Sequence, residues 1–408
     1  MGLVAITVAA GALAWKPALP AVPPPAAGSF GRAIVLRGEG LAHLGNCRTC
    51  HTVQAGRPFA GGKALQTPFG TIFATNITPD PETGIGRWSP DAFKRAMREG
   101  VSRDGTFLYP AFPYDHFARV TDEDLDALYA FLMTRPAVKT QAFENRLVWP
   151  FGYRPLLAAW NLLYLRQDAL NDADRGHYLA EGLAHCGACH TPRNRWGAEM
   201  SGHAYDGAWT EGWYAPPLNA HSRAVRPWTG EELFAYLRTG SGATHAATAG
   251  PMSKVTRELA AAPDLDVRAL AAYFARLMAD APAAKGEALP RDDQSQAQHE
   301  YPESATLFAG ACATCHDAGA PMMQQGRPPL AWATSLHEET PHNTLHVIVH
   351  GLDPSGNRAG PSMPAFGNDF TDRQLAEMAA YLRARYTDRP PWQNLEQAVS
   401  EVRKGSGE

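Results

Sequence analysis

Cysteine is scarce, with six in 408 residues, and all six fall in pairs separated by two residues, so none is left over for a structural disulfide. An excess of one charge is also missing: 37 Lys and Arg stand against 41 Asp and Glu, for a net charge of −4. Without a basic excess or a basic run, nucleic acid is excluded as a partner. No dinucleotide fingerprint follows a strand and no nucleophile elbow is present, so nothing points to substrate chemistry in this chain alone. Alternation with period two is rare, which argues against a sheet-based fold and for an all-α one. Glycine (37) and proline (33) are plentiful, and these residues break a chain into short helices and turns. An apolar content of 45% marks a globular chain rather than a disordered or fibrous one. The length suggests two to four domains at roughly 100–200 residues each.

The cysteine pairs decide the chemistry. Each reads C-x-x-C-H: Cys47, Cys50 and His51; Cys186, Cys189 and His190; Cys312, Cys315 and His316. Two thiols at this spacing can each form a thioether to a haem vinyl group, and the adjacent His then reaches the iron. Zinc is the rival, but no second C-x-x-C lies near any of the three to close a four-ligand set. A thioredoxin-like role would want one pair on a βαβ scaffold, which the pattern lacks. Three covalently bound haem c groups are therefore expected.

The three motifs recur 139 and then 126 residues apart. An amphipathic helix is expected before each, over 33–45, 173–185 and 303–311. Ser89 and Thr229, after Trp88 and Trp228, are candidate N-caps. Each repeat closes with an apolar helix opening at Thr121, Asp264 or Thr371 and carrying Tyr129, Tyr273 or Tyr381. The period is too long for a solenoid, so the repeats read as tandem domains. The expected division is 1–29 signal-anchor and Pro/Ala-rich spacer, 30–135 first domain, 136–172 aromatic linker, 173–280 second domain, 281–299 solvated linker, 300–390 third domain and 391–408 C-terminal tail.

Residues 3–15 are apolar and uncharged, but as a helix they would reach only about 20 Å, short of a hydrocarbon core. The stretch resembles a signal or anchor segment and points to export. Within the first linker, 147–165 is strongly apolar and aromatic, while Pro150, Arg154 and Pro155 argue against a spanning helix. It either lies on a membrane or partner surface or fills the seam between the first two domains.

The sixth iron ligand can be sought by register. Met252 lies 62 residues after His190 and Met363 47 after His316, each just before a closing helix and in a turn-rich stretch read as loop. Met ligation raises a haem potential. Met322 and Met323 lie too close to His316 to reach the opposite face. In the first repeat the same register gives Phe112, 61 residues after His51, and Phe cannot ligate iron. His116, four residues on, is the substitute considered first; Met97, Met133 or an open position are the alternatives. His342, His346 and His350, with His337 nearby, could line one helix face and bind metal, against a plain exposed polar face.

These residues carry a resemblance. Three C-x-x-C-H units in one chain, with Gly100–Gly105, Leu108–Ala111, Asn145–Leu147 and His185–Asn194, are similar to the three-haem cytochrome subunits of bacterial membrane-bound dehydrogenases. The resemblance implies three class I cytochrome c domains, with the six Cys holding haem, His51, His190 and His316 as proximal ligands, and Met252 and Met363 as distal ones. It implies a catalytic dehydrogenase partner, ubiquinone or another electron acceptor, and a place at the periplasmic face of the bacterial cytoplasmic membrane. Phe112 departs from the Met of the alcohol dehydrogenase cytochromes and resembles relatives serving periplasmic molybdenum hydroxylases of aldehydes or N-heterocycles. A haem peroxidase, a terminal oxidase subunit and a free-standing carrier are the competing functions.

Overall fold

The computed structural model describes residues 14–26, 28–53, 55–168, 170, 173–242, 244–281, 291–321, 323, 328–352 and 362–405. These residues form a helix-rich chain with two small antiparallel sheets. Packing divides the chain into two compact units. The first is Met1–Ala188 with Arg195–Ala198 and Ala261–Asp266; the second is Cys189–Asn194, Glu199–Ala260 and Val267–Glu408. The boundary runs through the second C-x-x-C-H.

In the first unit, α1 (Arg32–Leu44) leads into the short α2 (Cys47–Cys50). A three-stranded sheet follows, with β2 (Gly70–Phe73) between β1 (Ala64–Thr67) and β3 (Arg146–Leu147). Ala64 lies opposite Phe73, and Thr71 opposite Arg146. Then come α3 (Pro90–Glu99), α4 (Tyr114–Phe117), α5 (Asp122–Met133), α6 (Leu156–Tyr164) and α7 (Arg175–Glu181). The expected caps are in place. Ser89 accepts from the Ala92 amide, Pro90 occupies the first turn, and Gly100 ends α3 at φ 61°. Thr121 accepts from the Asp124 amide at the start of α5.

α1 and α5 cross at Gly38, where a Cβ would lie 1.9 Å from the Ala127 carbonyl oxygen. Only glycine permits that approach, and it lets Leu41, Leu44, Leu125 and Leu128 close a dry core. Asp124, 1% exposed, is the polar centre. It accepts from Arg37 at 2.7 Å, the Tyr178 hydroxyl at 2.8 Å and Arg175 at 3.4 Å, while Arg175 also reaches Asp266 at 2.8 Å.

The aromatic linker divides its faces. On α6, Trp160 is buried and donates to the Trp196 carbonyl at 3.1 Å. Asn161 accepts from the Tyr114 hydroxyl at 2.7 Å and donates to the Glu99 carbonyl at 2.9 Å. Leu162 and Leu163 are each 71% exposed and Trp149 88%. One face fastens to the first unit and the other meets solvent.

In the second repeat, α8 (Gly187–His190) is followed by the hairpin β4 (Ala208–Thr210) and β5 (Trp213–Ala215). Next come α9 (Gly230–Thr239), opened by a Thr229–Glu232 capping box and closed by Gly240 at φ 77°, then α10 (Gly250–Leu259) and α11 (Asp264–Leu277). The third repeat holds α12 (Gln294–Glu300), α13 (Pro302–Ala311), α14 (Ala313–His316), a 3-10 turn (Leu330–Trp332), α15 (Thr334–His337), α16 (His342–His350), α17 (Asp372–Tyr386) and α18 (Leu395–Lys404). Its core gathers Phe308, Leu345, Leu375, Tyr381 and Val399. A Thr371–Gln374 capping box opens α17.

Several expectations need correction. The chain is helix-rich rather than purely helical, because strands of two to four residues are too short to show a period-two pattern. The segment 281–299 is not simply solvated. Residues 282–290 lie outside the described ones, but Ala297 on α12 is fully buried and Asp292 binds the buried Arg385 at 2.6 Å. The tail 391–408 contains α18, whose Ala398, Val399 and Val402 are buried in the third-repeat core. Among the described residues no helix is long and apolar enough to cross a membrane. Most of the apolar stretch 3–15 lies outside them.

Candidate functional site

The first two C-x-x-C-H motifs are framed by the same hydrogen bonds. His51 contacts the Thr75 carbonyl through Nδ1 at 2.7 Å, and His190 contacts the Pro216 carbonyl through Nδ1 at 2.7 Å. The His51 carbonyl accepts from Gly61 and the His190 carbonyl from Gly207, each at 2.8 Å. Thr52 and Thr191, the residues after each motif, accept from the amides of Phe59 and Tyr205, each at 3.1 Å. Those two residues share a left-handed backbone, at φ 64° and φ 61°. Two residues beyond the anchoring carbonyl, the amides of Ile77 and Leu218 return to Phe59 and Tyr205, each at 2.9 Å.

The frame is chemically specific. A carbonyl on Nδ1 fixes the tautomer and leaves Nε2 as the ligating nitrogen. Desolvation lowers the His51 and His190 pKa below the ordinary histidine value, outweighing the raising effect of the carbonyl bond, so both rings are neutral, as ligation requires. Gly61 is required by its φ of 76° and by a site where a Cβ would lie 2.5 Å from the Thr75 carbonyl carbon. Thr210 on β4 points its hydroxyl at Cys189 Sγ at 3.9 Å. These residues fit covalent haem c: two thiols flank one turn, and a neutral, carbonyl-anchored imidazole follows.

The third motif ends α14, and Cys312 packs on the same core cluster as Met363. Asp317, directly after His316, is bound at 2.8 Å by Arg385 of α17, which tethers the motif to the closing helix. Met363 lies in extended backbone, exchanging both amide bonds with Leu352 at 2.9 Å. Met252 departs from its loop expectation and occupies the first turn of α10, next to Pro251. Gly250 just before it lies against Trp213 of β5, where a Cβ would come within 2.3 Å. One hairpin thus neighbours both Cys189 and the Met252 helix.

In the first repeat, Phe112 is an apolar packing residue, 5.2 Å from the Phe117 ring centroid. Its register with Met252 survives in three dimensions. Val101 pairs with Phe107, and Ser241 with Ala247, so Phe112 and Met252 each stand five residues past the bridge. His116 is not the surface residue its sequence position suggested. It is 5% exposed on α4, with Nδ1 2.9 Å from the Glu181 carbonyl, the same kind of anchoring as His51 and His190. Met97 and Met133 are buried core residues of α3 and α5.

The other histidines do not form a plain polar face. His342, His346 and His350 all lie on α16, but His346 is 6% exposed, stacks on Trp213 at 4.4 Å and contacts the Gly212 carbonyl at 3.0 Å. His342 meets Glu401 at 3.0 Å, and His337 the Ala331 carbonyl at 3.0 Å. The bonds that His337, His342 and His346 Nε2 make go to separate partners, while His346 Nδ1 is buried without one among the described residues.

Sequence reading missed Thr75, Pro216, Gly61 and Gly207. Gly61 follows His51 by 10 residues and Gly207 follows His190 by 17, so no fixed spacing exposes them. One faint signal existed: Pro-Pro-Leu stands at 216–218 and again at 328–330.

The family described as Cytochrome C oxidase, cbb3-type, subunit III matches residues 299–382. The chain is 44% identical, over 99% of its length, to a nicotinate dehydrogenase subunit of Pseudomonas putida, of which it spans only 34%. It is 37% identical to the gluconate 2-dehydrogenase cytochrome c subunit of Pantoea cypripedii, covering 87% of this chain and 86% of that protein. With the fructose dehydrogenase cytochrome subunit of Gluconobacter japonicus it shares 34% identity, over 95% of this chain and 86% of that one. The chain belongs to this family: it is a cytochrome c electron-transfer subunit of the dehydrogenase type, with covalent haem c as its cofactor.

Proposed function

We propose that the chain carries three haem c groups in three tandem class I domains and relays electrons from a catalytic dehydrogenase subunit to ubiquinone or another respiratory acceptor. The six Cys hold the haem edges. His51, His190 and His316 would ligate the iron, with Met252 and Met363 as the further ligands in the second and third domains and His116 as the candidate in the first. Bound haem supplies a one-electron carrier. The chain's own residues orient the imidazoles through the Thr75 and Pro216 carbonyls and keep them neutral by burial. The observation that carries the reading is the hydrogen-bond frame repeated around His51 and His190.

Export, and a place at the periplasmic face of the membrane, are part of this reading, supported by the apolar stretch 3–15 and by the covalent haem c that the family carries. The exposed face of α6 supports contact with that surface or with a partner. For the catalytic partner, a molybdenum hydroxylase of an N-heterocycle or aldehyde is favoured over an alcohol or sugar dehydrogenase. Two things support this: the match to a nicotinate dehydrogenase subunit spans almost the whole chain, and Phe112 stands where the resemblance to the alcohol dehydrogenase cytochromes implies a Met.

The test is elemental analysis of the native complex. Molybdenum and non-haem iron co-purifying with haem c are expected. A quinone cofactor or a flavin without molybdenum would reject this partner and restore the alcohol or sugar reading.

A further inference from the structure

His245 is the most unusual titratable group outside the ligand sets. It lies on the loop between α9 and α10, is 1% exposed, and neither ring nitrogen has a hydrogen-bond partner among the described residues. A buried imidazole left unbonded loses its hydration with nothing in return, so such a group calls for an explanation. The ring is held flat against Trp228, centroids 3.4 Å apart and 10° from parallel, and Trp228 in turn packs on Tyr236. The carboxylate nearest in charge does not take it up: Glu232 accepts instead from Thr244 at 2.6 Å and from the Thr229 hydroxyl at 2.8 Å, with no hydrogen bond to the imidazole.

Two more donors stand beside it. Arg226 is close enough to act on His245 electrostatically, lies 5.1 Å from the Trp332 ring and has no ion pair among the described residues. The Trp332 indole nitrogen is buried and likewise lacks an acceptor. Ala246, next in the chain, packs on the core cluster that Trp332 also touches. A cation and two orphaned N–H donors in one place call for an anion that no described residue supplies.

The place is specific to the second repeat. In the matching register of the first repeat, five residues past the glycine that ends the helix, stands Gly105, where a Cβ would meet the Lys16 carbonyl oxygen at 2.2 Å. There a backbone segment fills the space; here an imidazole does.

We infer that His245, Arg226 and the Trp332 indole form a carboxylate cradle for a propionate of the second-domain haem. His245 is a positioning residue and donates to the propionate, Trp332 supplies the second donor, and Arg226 supplies the countercharge. This rests on haem attachment at Cys186 and Cys189. Neutralising a propionate favours the reduced, less positive haem, so loss of the cradle lowers that haem's potential.

The experiment is spectropotentiometry on the full chain, with haem counted by intact mass. Cys186→Ala/Cys189→Ala identifies the second-haem wave by removing it. His245→Leu and Arg226→Gln are each expected to shift that wave to lower potential, leave the other two in place and preserve three haems. His245→Gln, which keeps a donor, restores part of the shift. Arg226 is exposed, so its variant folds even where His245→Leu does not. Three haems with all waves unmoved in Arg226→Gln and His245→Gln, or movement confined to another wave, overturns the cradle alone. No haem lost on the double Cys substitution overturns the attachment and the cradle with it.

Discussion

At the scale of the residue, a backbone carbonyl takes Nδ1 of His51 and of His190, which leaves Nε2 as the nitrogen able to ligate. Met252 and Phe112 each stand five residues past a matching bridge, Met252 in a first helical turn and Phe112 outside one, and of the two side chains only a thioether has the chemistry to ligate iron. Met252→Leu should therefore lower one of three midpoint potentials and abolish one methionine–iron charge-transfer band, whereas Phe112→Leu should leave all Met-ligated bands intact. Low-temperature and near-infrared spectra check both. His346 makes a separate prediction. Burial lowers its pKa to about 4, with His342 and His350 adding a smaller lowering and the Gly212 carbonyl opposing it. The folded ring stays neutral where the unfolded one is protonated. Stability is therefore lost as pH falls from about 6.5 towards 4, at up to about 1.4 kcal/mol per pH unit. His346→Phe should flatten the denaturation midpoint across that window; an unchanged slope would contradict it.

At the scale of the element, what was legible was whatever local chemistry dictates. Ser89, Thr229 and Thr371 cap helices as their sequence contexts imply, and Gly100 and Gly240 end them in the left-handed region. The C-x-x-C-H motifs were legible as attachment sites, though not as the short helices they form. What stayed hidden depends on partners distant in sequence. The strands are too short to show alternation, the Thr75 and Pro216 carbonyls carry no side-chain signal, and the burial of His116 depends on Glu181. The apolar spacing of Leu395, Ala398, Val399 and Val402 was readable, but its terminal position suggested a tail. Two substitutions test the packing. Gly38→Ala forces α1 off the Ala127 carbonyl and should cost several kcal/mol, read as a lower unfolding midpoint. Asp124→Ala removes the buried acceptor shared by Arg37, Arg175 and the Tyr178 hydroxyl, leaving Arg175 with Asp266 and Tyr178 with Thr121, and should cost on the order of 3 kcal/mol, with Asp124→Asn milder. Stability within about 0.5 kcal/mol of the parent would contradict either account.

At the scale of the whole molecule, the chain places repeated attachment sites on a mostly helical scaffold and adds little else. The cysteines are confined to those sites, the Nδ1 anchors recur at matching positions, and α18 completes the third-repeat core. This economy suits a carrier, whose chain need only hold cofactors, tune them and meet partners. The exposed apolar face of α6, with Leu162 and Leu163 outward, is an apolar surface that folding leaves unburied among the described residues. Replacing both with Ser should leave the haem spectrum unchanged and reduce sedimentation with membranes or co-purification of a partner.

The central claim is the number and chemistry of the cofactors. It is tested most directly by the intact mass and pyridine haemochrome spectrum of the full chain produced with haem c maturation. The account predicts three haem adducts per chain, all bis-thioether, and stepwise loss of one adduct for each C-x-x-C-H pair replaced. Fewer than three adducts, or zinc in place of haem at any pair, would contradict it.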